Sequence, residues 1–179
     1  MIQKVTIFFL VVLFFLLTLP AFYFLHSQEV SLNPDKVEYN LPYPGILPDH
    51  PFFFVKELRD KILELTTRDT IKKAELYLLF SDKRIAMATL LAKSGKDKQA
   101  VTSVMQGEQY FGKIPQLVQT SKKQGVSASG DFIQRLKLSN DKHREVEENF
   151  LKDLPQGQNN DINKALDLNQ QARKKLESL

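Results

Sequence analysis

Twenty-one consecutive residues, Val5 to Leu25, carry no charge: "VTIFFLVVLFFLLTLPAFYFL". A helix rises about 1.5 Å per residue, so this run would extend roughly 30 Å, the thickness of a bilayer core. Lys4 and the free amine precede it and Glu29 is the first acid after it. The positive-inside tendency then places the N-terminus in the cytoplasm and the rest of the chain outside a cell membrane crossed once. Tyr23 and His26 would lie at the outer interface. A cleaved signal peptide is the competing reading, but the small residues wanted at positions −3 and −1 of a cut fit poorly. Before Gln28 these positions hold Leu25 and Ser27, and Ala21 follows Leu19 by two residues.

The next feature is a density of prolines. Five fall between Pro34 and Pro51, which excludes regular helix and central strand there. Within it, "LPYPGILPDHPFFF" (Leu41 to Phe54) holds four of the eight prolines and four of the eighteen Phe and Tyr residues. Pro42, Pro44, Pro48 and Pro51 restrict the unfolded chain, and Gly45 after Pro44 permits a turn. Leu41, Tyr43, Ile46 and Leu47 are too apolar for a free linker. The expectation is a strap whose apolar residues lie against a helical body and which delivers Asp49 as a helix cap. Tyr43, Pro44, Gly45, Ile46, Phe52, Phe53 and Phe54 are its candidate interaction residues. Presentation of the prolines to an aromatic groove, or a small-molecule pocket beneath the strap, are the alternatives.

Beyond it, apolar residues recur with helical spacing. A first helix over about 51–66 carries the stripe Val55, Leu58, Ile62 and Leu65. A second, 70–94, opens on Asp69 and stops at Gly95, with Ile71, Ala74, Leu78, Ile85, Ala88 and Ala92 on one face. A third, 97–121, holds Val101, Val104, Tyr110 or Phe111, Ile114 and Val118, and Pro115 predicts a break near 112–114. "KKQGVSASG" is a loop. A fourth, 131–154, turns Phe132, Leu136, His143, Val146, Phe150 and Leu154 inward, and a fifth, 160–178, uses Ile162, Leu166, Asn169, Ala172 and Leu176. The fold class expected is all-α: a transmembrane helix (1–27), a Pro-rich strap (28–50) and an antiparallel bundle of four to five helices (51–179).

The segments "LPYPGILPDHPFFFVKELRDKI", "KKAELYLLFSDKRIAMATLLAKSGK" and "GEQYF" together resemble a family of bacterial envelope proteins classed as a domain of unknown function. Its members share a membrane segment, a Pro-rich "LPYPGxLPDxPxYxLKxLRDxI" motif and a helical body. The resemblance runs from Leu41 to Phe111 and departs from the pattern at Phe52 to Phe54, where a single aromatic is usual. It implies an exported, all-helical domain and brings no catalytic residues.

Composition narrows function mainly by exclusion. There is no cysteine, so disulfides, thiolate zinc sites, lipoprotein acylation and a Cys nucleophile are absent. Past residue 28 the charge balance is +3, nearly even and interleaved, unlike a nucleic-acid binder. No phosphate loop, GxSxG or HExxH motif occurs. His143 and Glu147 stand one helical turn apart and could share a metal, but a histidine paired to that glutamate at the core edge is the plainer reading. His50 beside Asp49 sits where a helix starts. Glu145, Glu147 and Glu148 read as a solvated face. The chain is therefore expected to be no enzyme and to need no cofactor. The expected role is a membrane-anchored extracytoplasmic interaction or scaffold module, whose partner is another envelope protein or a wall polymer. The alternative is a small-ligand or metal sensor in the envelope.

Overall fold

The computed structural model describes residues 37–179, all-helical with no strand among them. The apolar run Val5–Leu25 and the first part of the tether lie outside the described residues. Six α-helices follow the strap: α1 (Phe53–Thr66), α2 (Thr70–Lys93), α3 (Asp97–Phe111), α4 (Ile114–Lys123), α5 (Gly130–Asp153) and α6 (Asn159–Glu177), with a 3-10 turn at Gln156–Gln158 before α6. No helix among the described residues is long and apolar enough to cross a membrane.

Local chemistry sets the boundaries. Asp69 accepts from the Lys72 amide at 2.8 Å and starts α2, and Gly95 ends it in the left-handed region at φ 69°. Pro115 lies in the first turn of α4, where its missing N–H costs nothing, and so splits the expected third helix in two. Ser129 caps α5 by accepting from Phe132 N at 3.2 Å. Asp49 caps nothing. It pairs with Lys96, which holds its carboxyl below the usual range, and α1 instead grows out of a Leu47–His50 turn with Pro48 at its second position.

Two apolar clusters make the core. One joins Ala74 to Phe80 of α2 with Phe111, Ile114, Val118, Phe132, Leu136, Ala172 and Leu176. The other joins Ile85 to Leu91 of α2 with Ala100 to Val104, Phe150, Ile162 and Ala165. The order in which each helix meets the clusters gives the directions: α2 and α5 run one way, α3 and α6 the other, an up-down bundle. At Gly107 α3 comes close to α2. A Cβ there would stand 3.1 Å from the Ile85 side chain, and Ser81 Oγ donates to the Gly107 carbonyl at 2.9 Å.

The strap is attached, but by other residues than expected. Leu41 and Leu47 pack on the second cluster and Pro44 is buried, whereas Tyr43 is 74% and Ile46 41% exposed. Gly45, at φ 74°, bends the chain between Pro44 and Leu47, and Tyr43 and Ile46 on either side of it are left facing outward.

Candidate functional site

Two places depart from an ordinary bundle. The first lies between the apolar clusters. Each of four helices there puts polar residues on its inner stripe: Ser81 and Asp82 on α2, Glu108 on α3, Ser139, Asn140, His143 and Glu147 on α5, Asn169 on α6, all buried. His143 is the hub. Its Nδ1 is 2.7 Å from Glu108 Oε1 and its Nε2 3.0 Å from Asp82 Oδ1. Burial opposes a charge on this ring, but hydrogen bonds to Asp82 and Glu108 and their negative charge outweigh it and push its pKa up to about 10. The ring is an imidazolium at neutral pH and donates from both nitrogens. Ser139 Oγ donates to Asp82 Oδ1 at 2.6 Å, and Tyr39 of the strap donates to Asp82 Oδ2 at 2.5 Å. Asn140 and Asn169 exchange amide-to-carbonyl bonds at 3.1 and 3.0 Å, fixing the register of α5 against α6.

Glu147 completes the layer. Neither of its oxygens has a donor, and Glu108 Oε2 lacks one too. Burial, then the charge of Glu108, raise the Glu147 pKa to about 10, so it is a neutral acid at pH 7. As an acid its O–H can donate to Glu108 Oε2, which answers that oxygen and one of the two on Glu147. The pairing of His143 with Glu147 expected from their spacing is thus corrected. The histidine bonds Asp82 and Glu108 on other helices, and Glu147 belongs to the interior, not to a solvated face. The missed signal was positional. Asp82 follows Leu78 and precedes Ile85, and Glu108 lies between Val104 and Phe111, each a polar residue inside an apolar stripe.

Chemically this layer holds protons rather than reacting. Ser139, His143 and the acids have a triad-like composition, but the Ser139 proton is directed at Asp82 and the imidazolium has no lone pair to take it. Ser139 and His143 are fully buried. No group of three or more His, Asp or Glu among the described residues is set to hold a metal ion. His50 lies exposed at the start of α1, its Nδ1 accepting from Phe52 N at 3.2 Å.

The second place is the outer face of α1. Phe54, Val55, Leu58, Ile62 and Leu65 are all exposed, Leu65 by 72%, and Phe52 just before the helix by 61%. The stripe that spacing reveals therefore points away from the bundle. What α1 turns inward is Phe53, Lys56 and Leu63. Lys56 is 8% exposed, and its Nζ donates to the Pro44 carbonyl at 2.8 Å, which ties strap to helix. Burial lowers its pKa to about 7, the nearby Arg84 and Lys83 adding to the effect against Asp60. The acids of α1 also face neighbours: Glu57 pairs with Arg84 at 3.3 Å, and Glu64 accepts from Tyr77 at 2.8 Å. Two clefts of about 180 and 250 Å³ flank α1, below the roughly 300 Å³ at which small-molecule sites begin.

The candidate strap residues thus divide. Pro44 and Phe53 are inside, Gly45 makes a bend at φ 74°, and Tyr43, Ile46, Phe52 and Phe54 face outward. The helical body that follows, from Gly45 to Gln158, matches the family model described as "Domain of unknown function (DUF5667)". The chain belongs to the DUF5667 family. The DUF5667 match starts within the strap, takes in α1 to α5 and ends before α6, so it extends beyond the 41–111 stretch that carries the resemblance in sequence. It includes Asp82, Glu108, His143 and Glu147 as well as the outward stripe of α1. No curated protein and no solved structure matched the chain.

Proposed function

We propose that this DUF5667 protein is a membrane-anchored docking module: a rigid helical body held outside the cell membrane by the apolar run Val5–Leu25, which presents the outer face of α1 for attachment. The observation that carries the reading is the exposure of Phe54, Val55, Leu58, Ile62 and Leu65 together on one helix. A contiguous apolar face on an otherwise well-buried body marks an interaction surface. The sealed polar layer supports a body built to keep one register, because its charges are all internal and mutually bonded. The uncharged length of Val5–Leu25 supports the anchor.

The test uses the full chain with a C-terminal tag in a bacterial host. Protease added to spheroplasts should remove the tag while residue 1 or 2 persists in the membrane fraction. A photo-crosslinker placed at Leu65 should capture a neighbour there, and one at Gln134 should not. A protected tag, or no capture at Leu65, overturns the reading.

A further inference from the structure

We propose that the occupant of the α1 face is the lipid surface of the membrane in which this chain's own apolar run is embedded, so that α1 lies flat in the headgroup region. This rests on the docking module proposed above and names its partner. Three observations converge on it.

The first is the arrangement of charge around α1. At about 100° per residue, the exposed apolar side chains centre on one direction of the helix. Lys61 falls on one flank, roughly 70° away, and Arg59 on the other, roughly 90° away and ion-paired with Asp60 at 2.6 Å, while Glu57, Asp60 and Glu64 all fall about 110° or more away. Lys61 thus borders the apolar face, Arg59 stands at its other edge with its charge shared with Asp60, and every acid is turned off the face. This is the layout of an interfacial helix, whose flanking cations reach anionic headgroups while the apolar side chains enter the acyl boundary.

The second is aromatic content at one end. Phe52 and Phe54 are exposed at the start of α1. Aromatic side chains at the water–lipid boundary act as anchors.

The third is reach. Only residues 26–36 separate the apolar run from Val37, a span of at most about 40 Å when fully extended. That is close to the length of α2, whose 24 residues rise about 36 Å. The body cannot leave the neighbourhood of the bilayer, so an amphipathic helix on it meets lipid at high effective concentration and needs little intrinsic affinity.

The absence of cysteine makes the experiment clean. Single-cysteine forms of the full chain, Leu58→Cys and Leu65→Cys on the face, Gln134→Cys and Asn163→Cys away from it, would carry an environment-sensitive fluorophore. They would be reconstituted into phosphatidylcholine vesicles with and without phosphatidylglycerol. Labels at 58 and 65 should show blue-shifted emission and quenching by spin-labelled phospholipid, more strongly with the anionic lipid. Labels at 134 and 163 should remain wet. Adding Val55→Glu and Ile62→Glu should abolish both signals at 58 and 65 with the helical circular dichroism intact. Labels at 58 and 65 as wet as those at 134 in both vesicles overturn the lipid assignment. The same labels in native membrane vesicles then separate the two readings. Burial there alone means a protein occupant and leaves the docking module standing, whereas exposure there too removes both.

Discussion

α1 and the bundle interior solve opposite problems with the same residue types. In the bundle the apolar stripes of α2, α3, α5 and α6 face one another, and the polar groups among them are closed into a network around His143. On α1 the apolar stripe faces outward, and a single cation, Lys56, faces in with a backbone carbonyl and the Met87 thioether as its neighbours. None of the closely packed helix pairs involves α1. Periodicity therefore reports that a stripe exists, while its direction depends on how many neighbours a helix has. A helix surrounded by others must turn its stripe inward, and a helix at the edge of the body can keep its stripe for something else.

The sharpest way to break this contrast is His143→Ala. It would leave Asp82 and Glu108 buried without their shared cation, a loss of about 3–5 kcal/mol in chemical denaturation. A loss under about 1 kcal/mol would mean that the layer is not the organising centre described here. Next comes a matched pair of truncations. Leu136→Ala removes a fully buried side chain and should cost about 2–5 kcal/mol, whereas Leu58→Ala, on the outer face, should change the soluble-state stability by no more than about 0.5 kcal/mol. Equal costs would place the α1 stripe inside after all.

The titration of the two regions also differs in sign. The folded pKa of Glu147 lies above its unfolded value of 4.5, and that of His143 above 6.5, each near 10. The folded state keeps protons that the unfolded chain releases, so this contribution is full below pH 4.5 and is lost as pH rises toward 10, most steeply above 6.5. Lys56 runs the other way: its folded pKa of about 7 lies below 10.5, so its contribution grows with pH between those values and offsets about one proton's worth of that fall. Glu147→Gln, which mimics the neutral acid and can still donate to Glu108, should stabilise the protein at pH 9 by more than about 1 kcal/mol and flatten the alkaline side of the profile. Unchanged slope between pH 7 and 10 would argue that Glu147 is not held protonated. The smallest effect is expected for Lys56→Met. Removing a buried ammonium should raise stability at pH 6 by about 1 kcal/mol, and the gain should disappear by pH 10. A gain that persists at pH 10 would show that packing, not charge, is responsible.

What could be read in the sequence was local. Asp69 and Gly95 mark the ends of α2 because a cap and a left-handed turn depend on residues within one helical turn. Pro115 marks the α3–α4 break for the same reason. The inward stripes of α5 and α6, including His143 and Asn169, follow from spacing alone. The burial of Glu147 did not follow, because "REVEEN" has the composition of a solvated surface and only Glu108 and His143 on the inner faces of α3 and α5 make its position interior. Nor did the orientation of α1, where one charged side chain, Lys56, is inside while five apolar ones, Phe54, Val55, Leu58, Ile62 and Leu65, are outside. In the strap, hydrophobicity did not tell which side faces in: Leu41, Pro44 and Leu47 pack inward while Tyr43 and Ile46, on either side of the Gly45 bend, stay exposed.

The clamp at the start of the described chain has a mechanical consequence. Val37 N donates to Glu145 of α5 at 3.1 Å, and two residues later Tyr39 reaches Asp82 of α2. Among the described residues, a pull arriving from the N-terminal side is met there first, by the two longest helices at the level of the polar layer, before it reaches Pro44 or Lys56. Load passes from there into the polar layer of the bundle, and α1 lies downstream of the clamp. A pull on Val37 would thus load α2 and α5 before it loads α1.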